Sequence, residues 1–181
     1  MGSKKEFIER TKEITDWFYS LDAVPCKDAL IETYKNLPLR VRQLKSGNAD
    51  KYLRFTSVYP FEYRFTNGSH AYGKEFLPKY VRIFLADAGG SVVIPSYGYV
   101  DGLRVVYRLT FRSVFIKEFR FFSPLNWIPH GMLHPDKTVK DPWIVVESAI
   151  DADWLRELYP FVIATGGVSG LGSYGMWAIA N

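Results

Sequence analysis

Apolar residues recur at Phe7, Ile8, Ile14, Trp17 and Phe18. That is the spacing of one helix face, and it predicts an amphipathic helix over Lys4 to Tyr19. A second short helix is predicted from about Cys26 to Tyr34, with Pro25 near its start and Pro38 past its end. Lys45 to Asp50 is polar, holds Gly47 and reads as a loop. Tyr52 to Phe65 is rich in aromatic and β-branched residues and is broken by Pro60, the pattern of a pair of strands. Asn67-Gly68-Ser69 follows as a turn. Further strands are predicted at Tyr80–Leu85, Ser91–Ser96, Leu103–Phe111 and Ser113–Phe122. Asp87-Ala88-Gly89-Gly90 and Tyr99-Val100-Asp101-Gly102 are the turns between them.

The pattern then changes. Trp143-Ile144-Val145-Val146 is an apolar run that ends in Glu147, and Phe161-Val162-Ile163-Ala164 is a second that ends in Thr165-Gly166-Gly167. A helix-like segment from Asp151 to Leu158 lies between them. Continuous apolar runs read as strands buried on both faces. Val145-Val146 and Val162-Ile163 are therefore expected side by side and parallel, joined by a right-handed crossover through the helix of Trp154 and Leu155. A final helix is expected from about Leu171. Glu147 stands at a strand end, where side chains emerge at the rim of such a sheet.

The fold class is mixed α and β: a β-rich first part leading into a parallel β-α-β half. Residues 1–80 form a helical and β region of unassigned role, residues 81–142 a β section with basic residues, and residues 143–181 the parallel half.

A hydrophobic share of 48% with 17% aromatics excludes a disordered chain. No apolar run is long enough to cross a bilayer, no cleavable signal is expected, and Glu6 occupies the position a myristoylation signal reserves for Ser or Thr. The single cysteine, Cys26, excludes a disulfide framework or a multi-cysteine zinc site and points to a reducing cytoplasm. The formal charge of +4 is unevenly spread. Residues 1–80 carry 14 Lys+Arg against 10 acids, residues 81–142 carry 8 against 5, and residues 143–181 carry 1 against 4. A basic surface ahead of an acidic pocket suits a polyanion held beside a metal-dependent site.

Three segments together resemble the catalytic core of bacterial and bacteriophage DnaG-type primases, whose second half is a Toprim domain. The first is Val92-Val93-Ile94-Pro95, the Asp101-Gly102 turn and Leu103-Arg104-Val105-Val106. The second is Phe111-Arg112 followed by Arg120-Phe121-Phe122-Ser123-Pro124. The third is Ile144 to Ala152 with Ala164-Thr165-Gly166-Gly167, which is similar to the first Toprim motif of strand, Glu-Gly, two residues and Asp-Ala. The likeness covers roughly residues 90–170. Ser148 departs from the family's glycine after the acid, and the family's Asp-x-Asp at the end of the next strand is not reached before Asn181.

The resemblance implies template-directed ribonucleotide transfer with Mg²⁺ or Mn²⁺, Glu147 as catalytic and metal-positioning acid, and arginines on phosphates. Arg112 and Arg120 are expected to line an exposed groove opening towards Glu147, with Lys117 and Arg108 as further phosphate contacts. The implied partners are a single-stranded DNA template, nucleotides and a replicative helicase, with no membrane. Without the Asp-x-Asp, the chain is expected to bind single strands while the metal half comes from a continuation or a partner chain. The alternatives are a non-catalytic nucleic-acid- or protein-binding module of a phage or mobile element, and a Toprim nuclease or topoisomerase fragment.

Other motifs have plainer explanations. Asp151 is expected to cap the crossover helix, which places Asp153 away from metal ligation. His130 and His134 have a helical zinc spacing, but Pro129 and Pro135 bracket them. Gly170-Leu171-Gly172-Ser173-Tyr174-Gly175 reads as a glycine-rich strand-to-helix turn, since no acid follows about twenty residues on. Tyr52, Tyr59, Tyr63 and Phe121 are candidates to stack on bases, against the simpler role of core.

Overall fold

A computed structural model describes residues 4–25, 62–66, 77, 79–100, 102–113, 130–131, 142–156 and 158–166. Their elements run α1 (Lys4–Tyr19), β1 (Asp22–Pro25), β2 (Glu62–Thr66), α2 (Lys79–Asp87), β3 (Ser91–Val100), β4 (Leu103–Ser113), β5 (Ile144–Val146), α3 (Ala149–Arg156) and β6 (Val162–Ala164). The chain is mixed α and β, as its patterning predicts. One sheet has the order β1-β2-β3-β4 and a second joins β5 to β6. No helix among the described residues is long and apolar enough to cross a membrane. The expected helix at Cys26–Tyr34, the Tyr52 side of the first strand pair, the Asn67 turn, the strand beyond Ser113 and the helix from Leu171 lie outside the described residues.

The chain divides into two compact units. One comprises Met1–Asp16, Pro95–Thr110 and Ser123–Asn181, the other Trp17–Ile94 and Phe111–Phe122. In the second unit, β2 pairs antiparallel with β1 and with β3, in the register Arg64↔Val93, Phe65↔Val92 and Thr66↔Ser91. Pairing with β2 stops at Val93, so Pro95, which has no N–H to give, sits in β3 without breaking that ladder. Trp17, Phe84 and Phe111 build an aromatic core, with ring centroids 6.1 Å (Trp17–Phe111) and 6.5 Å (Phe84–Phe111) apart. Each such ring contributes about 1.5–3 kcal/mol by burial. Tyr63 is wholly buried here, so it is core rather than a base-stacking platform. The end of α1 is held by Arg64. Its Nη1 donates to Leu21 O at 2.6 Å, and its guanidinium lies 5.2 Å from the Phe18 ring and 4.9 Å from the Tyr19 ring.

Tyr80–Leu85 is not a strand; it lies inside α2. Val81, Phe84, Leu85 and Ala88 are buried while Tyr80 and Ile83 are exposed, which is helical spacing within a run too short for period alone to decide. Gly89, at φ 67, ends the helix in the left-handed conformation that glycine adopts without strain.

In the first unit, β5 and β6 are parallel in the register Ile144↔Val162, Val145↔Ile163 and Val146↔Ala164, with α3 between them in sequence, as expected. Burial is unequal. β6 is buried throughout, whereas Ile144 and Val145 of β5 are exposed, which corrects the expectation that both runs are buried on both faces. The cause is position: β6 is bridged at Ala164 to His130 on one side and to β5 on the other, while β5 pairs only with β6 among the described residues.

Candidate functional site

The rim is built by the ends of β5 and β6. Glu147 follows β5 directly and is exposed. Its carbonyl accepts the Gly166 N–H at 2.9 Å, and the Val146 carbonyl accepts the Thr165 N–H at 3.0 Å, so the two strand ends stay locked together past their last paired residues. Gly166 has φ 74, and a Cβ there would stand 3.2 Å from Arg108 Nη2. Arg108 of β4 and the backbone carbonyl of Glu147, just past β5, therefore both lie against the same glycine. Burial lowers the Arg108 pKa, with Tyr107 acting in the opposite direction. A desolvated guanidinium gains more than an exposed one from an anion brought beside it.

Ser148, where the primase pattern has glycine, is the N-cap of α3. Its Oγ accepts the Ile150 N–H at 3.2 Å and its carbonyl accepts the Ala152 N–H at 3.0 Å. Asp151, expected as the cap, sits instead in the first turn, where its charge suits the helix dipole. Ser148→Ala should lower stability by about 1 kcal/mol and Ser148→Gly by a few tenths; equal urea midpoints for all three chains would contradict this capping role.

The other expected phosphate ligands fare differently. β4 runs unbroken through Arg112, so Arg104, Arg108 and Arg112 share parity. Only Arg104 is exposed; Arg108 and Arg112 are both buried, because β4 is covered on both faces from Val106 to Ser113. The expected exposed groove at Arg112 is thus corrected to a buried position. Lys117 and Arg120 lie outside the described residues. Arg104 stacks its guanidinium 3.8 Å from the centre of the Tyr97 ring, and Tyr99 is 51% exposed on the same strand as Tyr97.

Beneath the rim lies a buried polar chain that spacing did not reveal. Ser96 Oγ lies 2.6 Å from His130 Nδ1, and His130 Nε2 lies 2.5 Å from Asp153 Oδ1. Asp153 Oδ1 also receives Arg156 Nη1 at 3.0 Å, and Arg156 Nε and Nη2 donate to the Val162 carbonyl at 3.0 and 3.1 Å. A carboxylate only accepts, so Nε2 carries the proton towards Asp153 and Nδ1 of the neutral ring accepts the Ser96 hydroxyl. Burial lowers the His130 pKa, Asp153 pulls it up, and Arg156 and Arg108 push it down.

Serine, histidine and aspartate in contact invite comparison with a nucleophilic triad. Ser96 has no exposed surface, however, and it sits on Nδ1 with the acid on Nε2, the reverse of the hydrolase order. The trio is a clasp between elements.

Glu147 is the carboxylate at the rim, and the described residues hold no group of three or more His, Cys, Asp and Glu side chains placed for a metal. One carboxylate is not a cage for Mg²⁺ or Mn²⁺, which seek near-octahedral oxygen. The described residues alone do not make a resident metal site. His130 and Asp153 are engaged with one another, and His134 lies outside the described residues. Comparison with protein-family models, curated proteins and solved structures returns no match to this chain.

Proposed function

We propose that this chain is a primase-like protein that binds single-stranded nucleic acid at the rim where the Glu147 backbone and Arg108 lie against Gly166. The observation that carries this is the parallel β5-α3-β6 unit with an exposed acid at the carboxyl end of β5, the position from which α/β sheets work on ligands. Arg108 supplies a guanidinium against the same glycine. The stack of exposed Arg104 on half-buried Tyr97, with exposed Tyr99 on the same strand, adds a cation and aromatic faces of the kind that grip phosphates and bases. Template-directed synthesis from nucleotides with Mg²⁺ or Mn²⁺, and engagement of a replicative helicase, belong to the same reading through the primase-like motifs. The second reading, a protein-binding module, is favoured by the exposed apolar residues Ile144, Val145 and Leu158.

The test is a salt titration of fluorescent single-stranded oligonucleotide binding, with Arg104→Ala and Arg108→Lys each checked for fold by circular dichroism. Two to three phosphate contacts predict that affinity falls about fivefold to tenfold for each tripling of salt. Arg104→Ala should reduce the slope by about 0.7, one phosphate's worth. Arg108→Lys keeps the charge and loses the fork, so it should weaken binding severalfold with the slope little changed. Absence of binding at low salt, or binding indifferent to both substitutions, would remove the nucleic-acid reading and leave the protein-binding one.

A further inference from the structure

We propose that His130 is the positioning residue of the Glu147 rim, a clasp whose ring and backbone hold α3 and β6 so that Gly166 stays bonded to the Glu147 backbone and close to Arg108. The proposal rests on the rim being the working site, while the clasp itself rests on geometry alone. The backbone of His130 grips Ala164 twice: its N–H donates to the Ala164 carbonyl at 3.2 Å and its carbonyl accepts the Ala164 N–H at 2.9 Å. Ala164 is the last residue of β6, two before Gly166. The ring meanwhile fastens Ser96 of β3 to Asp153 of α3, and Arg156 carries the connection from Asp153 to Val162 at the head of β6. Gly131 adds an anchor on β4, donating its N–H to Tyr107 Oη at 2.8 Å. One dipeptide thus ties β3, β4, α3 and β6 together.

A buried histidine satisfied on both nitrogens is often plain core. Two features set this one apart. Its backbone holds Ala164, the strand-end residue of β6 that leads into the rim, and its hydrogen-bond polarity depends on one proton. Around the His130-Gly131 pair stand Ser96 from β3, Tyr107 and Arg108 from β4, Asp153 and Arg156 from α3, and the Ala164 backbone from β6. Protonation turns Nδ1 from acceptor to donor, so the Ser96 hydroxyl must rotate its hydrogen away. It also places a second cation in a pocket that already holds Arg156 and feels Arg108. The Asp153 contact gains from the charge, but burial outweighs that gain, so the net effect loosens the clasp and, through Ala164, the locked strand ends.

The test measures backbone amide protection of Thr165 and Gly166 by NMR across pH, together with oligonucleotide binding, on the full chain and on His130→Gln and Ser96→Ala. In the unchanged protein, protection at these two amides should fall about tenfold in one step as the ring is protonated. Glutamine can still donate to Asp153 but does not titrate, so His130→Gln should show no step. Ser96→Ala removes a hydrogen bond made to the neutral ring, so the step should move to higher pH.

A step that persists in His130→Gln, or a midpoint unmoved by Ser96→Ala, overturns the proposal. If His130→Gln fails to fold, the Ser96→Ala midpoint decides it. Oligonucleotide binding should lose its acid step in His130→Gln, and an unchanged pH profile of binding there would also overturn it. Absence of oligonucleotide binding at every pH removes the proposed function but leaves the protection result to judge the clasp.

Discussion

Asp153→Ala is expected to lower the stability of the fold by about 3–5 kcal/mol, read as a shift of the urea midpoint at unchanged slope. The carboxylate is 4% exposed and accepts from both His130 Nε2 and Arg156 Nη1. Alanine leaves a buried N–H without its acceptor and a part-buried guanidinium without its counter-charge, and each loss is costly where water cannot substitute. Asp153→Asn keeps the volume and one acceptor oxygen, so it should cost less, about 1–3 kcal/mol. A neutral Asp153→Ala would mean that the contacts have no net worth.

Acid should weaken the same region in the unchanged protein. Burial sets the His130 pKa below its ordinary value of 6.5. Below 6.5, therefore, the unfolded chain takes up a proton that the folded chain refuses. The His130 contribution is complete above 6.5 and is lost as pH falls through that value towards the folded one. Urea midpoints on either side of that window should differ in the unchanged protein and converge in His130→Gln.

Gly131→Ala is the second large effect, expected at about 2–6 kcal/mol. Two separate costs add. Gly131 has φ 90, outside the conformations an L side chain adopts readily, which costs about 1–3 kcal/mol. A Cβ built there would also lie 1.8 Å from Arg156 Nη2 and 2.5 Å from the Val162 carbonyl oxygen. The arginine head can swing aside, but only by giving up its bonds to Val162 and Asp153; the Val162 carbonyl belongs to β6 and cannot move without the strand. Such crowding costs about 1–3 kcal/mol. Gly102→Ala is the control, because Gly102 shares a positive φ of 79 but has nothing within 4 Å of the added Cβ. It should show the backbone cost alone. Equal losses at the two glycines would mean that the Arg156 contact is not tight in solution.

Glu147 at a strand end, the parallel pairing of Val145-Val146 with Val162-Ile163, and the helix between them follow from two short apolar runs separated by a helical segment. Ser148 looked like a departure from a glycine pattern, and its role as N-cap became visible only with Ile150 N–H at its Oγ. The primase resemblance implies phosphate-binding arginines at Arg112 and Arg120 in an exposed groove. Arg104, Arg108 and Arg112 share one parity on β4 yet only Arg104 is exposed, so exposure is not a property of the strand. It depends on what covers each face, and β4 is covered from Val106 onward.

Periodicity is a local quantity. The α1 face repeats within a few residues, the turn at Gly102 precedes β4 within a few more, and the β5-α3-β6 order is carried by runs about twenty residues apart. Patterns of that reach settle helices, turns and the sequence of elements, so the amino-acid sequence by itself determined these. The run at Tyr80–Leu85 shows the limit, since five apolar residues in six satisfy both periods, and packing of Val81, Phe84 and Leu85 chose the helix. The clasp lies wholly beyond that reach. Ser96 is 34 residues from His130 and Asp153 is 23, and no spacing rule links them. Their meeting, the burial that lowers the His130 pKa, and the approach of Arg108 to Gly166 were decided only by tertiary structure, because each depends on which distant backbone segments are brought together and on the water excluded when they meet.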